Sequence, residues 1–309
     1  MFKRLFQKIT SSYWSPAKQE FEVAVNEVIP EVEPVIDPIA NLPASDYIAS
    51  CDSIETPIKD YNEQPFFILG SVRSGTTMLR DILKLHKKLE CPEETHFFRW
   101  SDPFGTKRYD RHYRMSKFFQ SHREMDGIKD IPFHLIRQTA PDRKAIMDWY
   151  GQQYLIEQGN PAGRWFDKTP QNAYGILMLS AMYPEAKFIH IHRNPLNVVA
   201  SLLEGAVMPE HGFNAAINSW LESIMIMHQY KTLAPDRVLE LSYEDLTAAP
   251  QKYIQNTLDF IGEDSESFDF SQLSTHREKN KYLKKLSKEQ IVEVNRRTEF
   301  YRHCYGYGG

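Results

Sequence analysis

PFFILGSVRSGTT, residues 65–77, passes from a strand through a glycine-framed loop into a helix. Its first six residues are a short apolar run ending in glycine, the pattern of a strand buried on both faces. Residues 76–87 then place Met78, Leu79, Ile82, Leu83 and Leu85 at helical spacing. Between the two lies the frame G-x-x-x-x-G-x-T, beginning at Gly70. Small residues let such a loop turn its backbone N–H groups inward, and the helix N-terminus adds partial positive charge, so the loop suits a phosphate-like anion. Thr76 stands where a nucleotide triphosphatase loop carries its lysine, and no strand ends in an aspartate suited to Mg²⁺. Thr76 and Thr77 add hydroxyl donors, and Arg73 brings charge from within the loop. The frame therefore predicts a grip on a terminal phosphate-like group without a metal.

Outward from this loop the punctuation stays the same. GRWFDK (163–168), AKFIHIHR (186–193) and DRVLELSYE (236–244) read as further strands, and helices are expected from Pro170 and Pro195. Strands alternating with helices imply a parallel sheet covered on both faces, with functional groups gathered at the strand C-termini. The fold class is α/β, a P-loop NTPase-like three-layer α/β/α arrangement with a central parallel sheet. No internal repeat is visible.

The N-terminal region differs in character. Phe2, Leu5, Phe6 and Ile9 form one apolar face beside Lys3, Arg4 and Lys8, so residues 1–14 read as a short basic amphipathic helix suited to peripheral membrane contact. Residues 20–45 hold Glu20, Glu22, Glu27, Glu31, Glu33 and Asp37 with no Lys or Arg, and Pro30, Pro34, Pro38 and Pro43 interrupt any helix. Residues 1–45 are thus read as this segment plus an acidic tether, and residues 46–309 as the compact domain.

The 309 residues carry 41% apolar, 25% charged and 13% aromatic side chains, an ordinary globular composition. Lys plus Arg is 37 and Asp plus Glu is 41, a net charge of −4, so no general attraction to nucleic acid is expected and any anion site is local. Cys51, Cys91 and Cys304 form neither a disulfide framework nor a metal-ligand spacing. A reducing compartment follows, and the cytoplasm is the expected location, possible membrane association through residues 1–14 included.

The second constellation is HRNPLNVVAS. Arg193 follows a strand, Asn194 and Pro195 suit the N-cap and first position of a helix, and Ser201 lies on the helix face of Asn194 and Asn197. An arginine emerging there is placed for bidentate phosphate contact.

Together, GSVRSGTT, HRNPLNVVAS and the later SYEDL resemble the sulfotransferases that use 3′-phosphoadenosine 5′-phosphosulfate (PAPS). The resemblance runs from about residue 65 to 250. It implies that the loop residues Arg73, Ser74, Gly75, Thr76 and Thr77 hold the 5′-phosphosulfate, and that Arg193 and Ser201 hold the 3′-phosphate. Tyr243 matches an aromatic beside the nucleotide. Lys279, with Lys281, falls where the family often closes a basic loop over the cofactor. LECPEETHFFRW is similar to the C-G-E-E-T segment of the tyrosylprotein sulfotransferases, with Pro92 in place of glycine, and also to bacterial relatives. By that resemblance Glu94 is the general base, Arg73 lies beside the reacting sulfuryl group, and Lys168, in FDKTPQNAY, offsets charge on the bridging oxygen. A hydroxyl acceptor needs a carboxylate within reach because it is a poor nucleophile until its proton leaves.

The residues by themselves leave other readings open. Glu93 and Glu94 also suit the first turn of a helix. His86 and His96 are competing bases, Lys168 also reads as a surface partner of Asp167, and the basic stretch 106–123 as a solvated helix face. The expected function is sulfuryl transfer to a hydroxyl acceptor, a glycan, a peptide tyrosine or a small molecule, with no metal. The alternatives are a P-loop nucleotide kinase or NTPase, and a non-catalytic nucleotide-binding protein at a membrane.

Overall fold

A computed structural model describes residues 64–114, 116–205, 212–275 and 278–308. The helix expected at 1–14, the acidic tether, the boundary near residue 46 and Cys51 lie outside them.

The loop-forming strand β1 (Phe67–Leu69) leads into α1 (Thr76–Leu83), then β2 (Leu89–Glu90). Four helices follow: α2 (Lys107–Arg114), α3 (Lys117–Met125), α4 (Asp130–Thr139) and α5 (Arg143–Glu157). Next come β3 (Arg164–Trp165), β4 (Asp167–Lys168), a 3₁₀ turn Pro170–Gly175, and α6 (Ile176–Met182). β5 (Phe188–His192), α7 (Pro195–Glu204) and α8 (Phe213–Leu233) precede β6 (Val238–Ser242), α9 (Tyr243–Ala248) and α10 (Pro250–Ile261). The short α11 (Tyr282–Lys285) and the longer α12 (Lys288–Cys304) complete the order.

The central sheet is parallel, in the order β4-β1-β5-β6. Alternation along its strands explains the near-continuous apolar runs. Phe67, Leu69, Phe188 and Val238 face one core, and Phe66, Ile68, Ile189, Ile191 and Leu241 face another. Each face is covered by helices, so a polar residue on either side would need a buried partner. A third cluster joins α7, α8 and α12 through Leu196, Val199, Trp220, Ile224 and Val294.

Two details differ from the sequence reading. GRWFDK is two strands, not one: Leu89–Glu90 pairs with Arg164–Trp165 in a separate two-stranded sheet, and only Asp167–Lys168 joins β1. Phe166 marks the change, stacking on Phe66 at 4.6 Å in the second core. The expected helix from Pro170 begins as a 3₁₀ turn, because the side chains of Thr169 and Asn172 are drawn inward to Asp167.

The carboxyl ends of the four sheet strands lie side by side. β4 ends at Lys168, β1 runs into the phosphate loop, β5 delivers Arg193 and β6 delivers Tyr243. A parallel sheet collects its ligand groups along that edge. Among the described residues, no helix is long and apolar enough to cross a membrane.

Candidate active site

The loop's shape depends on its glycines. Gly70 has φ 145°, and a Cβ there would lie 2.4 Å from the Ile191 carbonyl oxygen. Gly75 has φ 95°, and a Cβ would lie 2.4 Å from Cδ2 of Tyr243, so the ring packs directly on the loop. Arg73 also takes a left-handed backbone, φ 69°, which turns the chain between these glycines. Ser74 N donates to Ser71 O at 3.2 Å, closing the turn. The Ser74 hydroxyl is buried and has no hydrogen-bond partner among the described residues. A buried polar group normally has one, and an anion seated in the loop would supply it. Thr76 is buried at the start of α1, and Thr77 is exposed.

Beside the loop is a cavity of about 500 Å³ lined by Arg73, Arg193, Ser201, Tyr243, Lys279 and Lys281, with Glu278 and Asn197. The Arg193 guanidinium lies 4.2 Å from the Tyr243 ring centroid and pairs with Glu278, Nε to Oε2 2.6 Å. Its main-chain oxygen accepts from Trp220 Nε1 at 2.9 Å. Asn194 caps α7 as expected, its side chain accepting from Leu196 N at 2.9 Å. Arg73 Nε donates to Ser201 Oγ at 3.0 Å, and Arg193 Nη1 donates to Arg73 O at 3.2 Å. Arg73, Arg193 and Ser201 are thus one cluster. Four cations, two hydroxyls and an aromatic wall fit a nucleotide carrying two separate phosphate groups. Glu278 has no counterpart among the sequence-derived site residues, since a glutamate in the mixed-charge stretch HREKNK carries no signal of its own.

The second cluster sits at the end of β4. Lys168 Nζ donates to Glu94 Oε1 at 2.6 Å, and Lys168 is only 2% exposed. The surface lysine paired with Asp167 is therefore not what forms. Asp167 is fully buried and accepts from Thr95 Oγ1 (2.8 Å), Thr169 Oγ1 (3.0 Å) and Asn172 Nδ2 (3.0 Å). Burial pushes its carboxyl up to about 6, against these three bonds. Thr169 Oγ1 also accepts from Thr95 N at 2.9 Å instead of capping a helix.

The segment of Glu93 and Glu94 is not helical, so neither residue is a first-turn helix charge. Glu93 Oε1 instead accepts from Arg80 Nη1 at 2.8 Å, and its N–H donates to Asp126 at 2.9 Å. His96 Nε2 lies 3.4 Å from Glu94 Oε2. Burial, together with Arg99, His122 and Lys168, pushes His96 down to about 3, so its imidazole is neutral. His86 is engaged elsewhere: Lys88 N donates to its Nδ1, which leaves Nε2 to donate to the Asp264 carbonyl at 2.9 Å. The stretch 106–123 is not simply solvated, because Arg123 is buried over the Phe133 ring at 4.5 Å. Glu94 and Lys168 thus meet each other, and the Arg73 side chain turns instead to Ser201.

Residues 65–267 match the model of the Sulfotransferase family. This chain belongs to that family. A protein-tyrosine sulfotransferase of Danio rerio is 25% identical over 214 residues, 68% of this chain and 56% of that protein. An omega-hydroxy-beta-dihydromenaquinone-9 sulfotransferase of Mycobacterium bovis is 25% identical over 256 residues, 67% of this chain and 64% of that protein. The chain spans less than two thirds of the length of either sulfotransferase. The crystal structure of a sulfotransferase from Mycobacterium avium shares the fold, with a TM-score of 0.52, 15% identity and coverage of 84% of this chain and 79% of that one.

Proposed function

We propose that this sulfotransferase-family chain transfers a sulfuryl group from PAPS to a hydroxyl acceptor. The observation that carries the reading is the Glu94–Lys168 pair at the end of the strand flanking the phosphate loop. PAPS supplies the activated sulfuryl group. The loop amides with Ser74, Gly75, Thr76 and Thr77 are suited to the 5′-phosphosulfate, and Arg193 and Ser201 to the 3′-phosphate. Tyr243 would wall the nucleotide site and Lys279 would add charge at its mouth.

Glu94 takes the acceptor proton on the oxygen that Lys168 does not hold. The acceptor oxygen forms its bond to sulfur as the bond from sulfur to the 5′-phosphate oxygen breaks. The electron pair remains on that phosphate, and the products are the sulfate ester and adenosine 3′,5′-bisphosphate (PAP). Lys168 fixes the carboxylate and offsets charge near the departing oxygen. Arg73 holds Ser201 and adds charge over the loop.

Two measurements test this. Calorimetry of PAP against ADP and ATP, with and without Mg²⁺, is expected to give metal-independent preference for PAP, lost in Arg193→Ala and Ser201→Ala. Preference for ATP with Mg²⁺ would sink the reading. Glu94→Gln keeps the side chain's shape and removes its basicity, so turnover is expected to fall by roughly 10²–10⁴-fold with PAP affinity retained.

A further inference from the structure

A second cavity of about 510 Å³ lies between the segment carrying His96 and Arg99 and the helices α2 and α3, and His96 in its wall places Nε2 3.4 Å from Glu94 Oε2. Two of its lining side chains have no hydrogen-bond or ion-pair partner among the described residues. His96 is 4% exposed, and neither ring nitrogen has a hydrogen-bond partner among the described residues. Its Nε2 approaches Glu94 Oε2 without the alignment of a hydrogen bond. Its backbone is held at φ 55°, a conformation a histidine adopts at a cost. Buried polar groups in native proteins are paired, so a neutral imidazole that lines a cavity without a partner is a place for a ligand's polar atom.

Arg99 is the second group. Its guanidinium is partly buried, 4.3 Å from the Trp100 ring, and makes no ion pair with any described carboxylate. The carboxylate lining this cavity, Asp102, is already engaged by Arg108 (3.1 Å) and His112 (3.0 Å). Glu94 attracts the Arg99 guanidinium only from beyond ion-pair distance and is itself held by Lys168, so this permanently charged, partly buried group is placed to take a direct anionic partner. Arg99 N also donates to His96 O at 3.2 Å, which fixes the two groups within one turn of chain. Phe118 and Trp100 supply apolar walls.

We infer that this cavity receives the acceptor, and that Arg99 selects an acceptor carrying an anionic group near its reacting hydroxyl while His96 bonds a polar atom beside it. The inference rests on the sulfotransferase reading for the chemistry, and extends it by naming a class of substrate: hydroxyl compounds bearing a carboxylate, sulfate or phosphate.

Two matched pairs of probes test it and separate the sources of such a hydroxyl. One is p-hydroxyphenylacetate against p-hydroxyphenylacetamide, for aryl hydroxyls. The other is p-nitrophenyl β-glucuronide against p-nitrophenyl β-glucoside, for sugar hydroxyls. Binding to PAP-saturated protein is followed by calorimetry, and turnover by sulfated product from PAPS. In at least one pair the charged member is expected to bind about tenfold tighter than its neutral partner. Arg99→Met brings that ratio close to one, and Arg99→Lys restores part of it. PAP affinity, measured on the same variants, reports whether the domain is folded. Equal binding within both pairs, no binding of any probe at millimolar concentration, or a preference that survives Arg99→Met overturns the inference. Failure of the wild type to bind PAP overturns the sulfotransferase reading instead, and the same comparison on nucleotide-free protein still decides the cavity's preference.

Discussion

Asp167 shows how one side chain can set two others. Its carboxylate accepts three hydrogen bonds in full burial, from Thr95, Thr169 and Asn172. Thr95 adjoins Glu94 and Thr169 adjoins Lys168, so Asp167 holds both members of the proposed catalytic pair by their neighbours. Asn172 extends the tie, its Oδ1 accepting from Phe98 N at 3.1 Å. Asp167→Ala leaves three buried donors without an acceptor, at about 1–3 kcal/mol each before relaxation. The variant is expected to lose about 3 kcal/mol or more in urea denaturation. Asp167→Asn keeps the volume and part of the acceptor capacity, so it should fold better. Its amide cannot accept on both sides, and turnover should fall by more than PAP affinity does. If kcat in Asp167→Asn matched the wild type, Asp167 would be a core residue without a positioning role.

At the scale of the element, the loop from Gly70 to Gly75 is shaped by what presses on it. A Cβ at Gly75 collides with the Tyr243 ring, and one at Gly70 collides with the backbone of Ile191. The first obstacle is a side chain and can be removed, whereas the second cannot. Gly75→Ala should therefore weaken PAP binding strongly, and adding Tyr243→Ala should recover part of the loss despite the unfavourable φ. Gly70→Ala should show no such recovery, and a double-mutant cycle by calorimetry distinguishes the two. Beside the loop, Glu278 holds Arg193 in an ion pair, both side chains largely buried. A phosphate that takes Arg193 must displace that carboxylate, so Glu278→Gln is expected to tighten PAP binding by about tenfold. Unchanged or weaker affinity would mean that Glu278 positions Arg193 instead of competing for it. The strand ends were legible in the sequence because each follows an apolar run and is punctuated by glycine, proline or a capping residue. Arg193, Lys168 and the loop could be found that way. The Glu278 partnership and the Arg73–Ser201 contact were not legible, because each joins residues far apart in the chain whose side chains have no periodic or capping signal. The break in GRWFDK was hidden for a different reason: two residues of strand are too few to show which sheet they join.

For the whole molecule, the strand sequence FIHIH places two histidines in a buried sheet, and that has a consequence for stability. Burial holds His190 below its ordinary range and His192 down at about 3, the latter aided by its neighbour His190. With His96, also at about 3, three imidazoles are neutral in the folded chain near neutral pH. In the unfolded chain each titrates near pH 6.5. As pH falls through that value the unfolded state binds protons that the folded state does not, so stability present above it is lost on acidification. Asp126 and Asp167, raised by burial to about 6, work in the opposite sense, since the folded state then holds protons that the unfolded chain releases. Their effect enters mainly below pH 6. Between pH 7.5 and 6 the histidines therefore dominate, each tending towards about 1.4 kcal/mol per pH unit once well below 6.5. The urea midpoint should fall over that interval at constant m-value. His192→Asn should be less stable throughout, because it loses the 2.8 Å contact of Nδ1 with the Tyr307 hydroxyl. It should also show a shallower fall with pH, since one of the three titrating groups is gone. A midpoint independent of pH from 7.5 to 6 would mean that the imidazoles gain protons without unfolding, through water or a local opening of the Tyr305–Tyr307 segment that packs on His192.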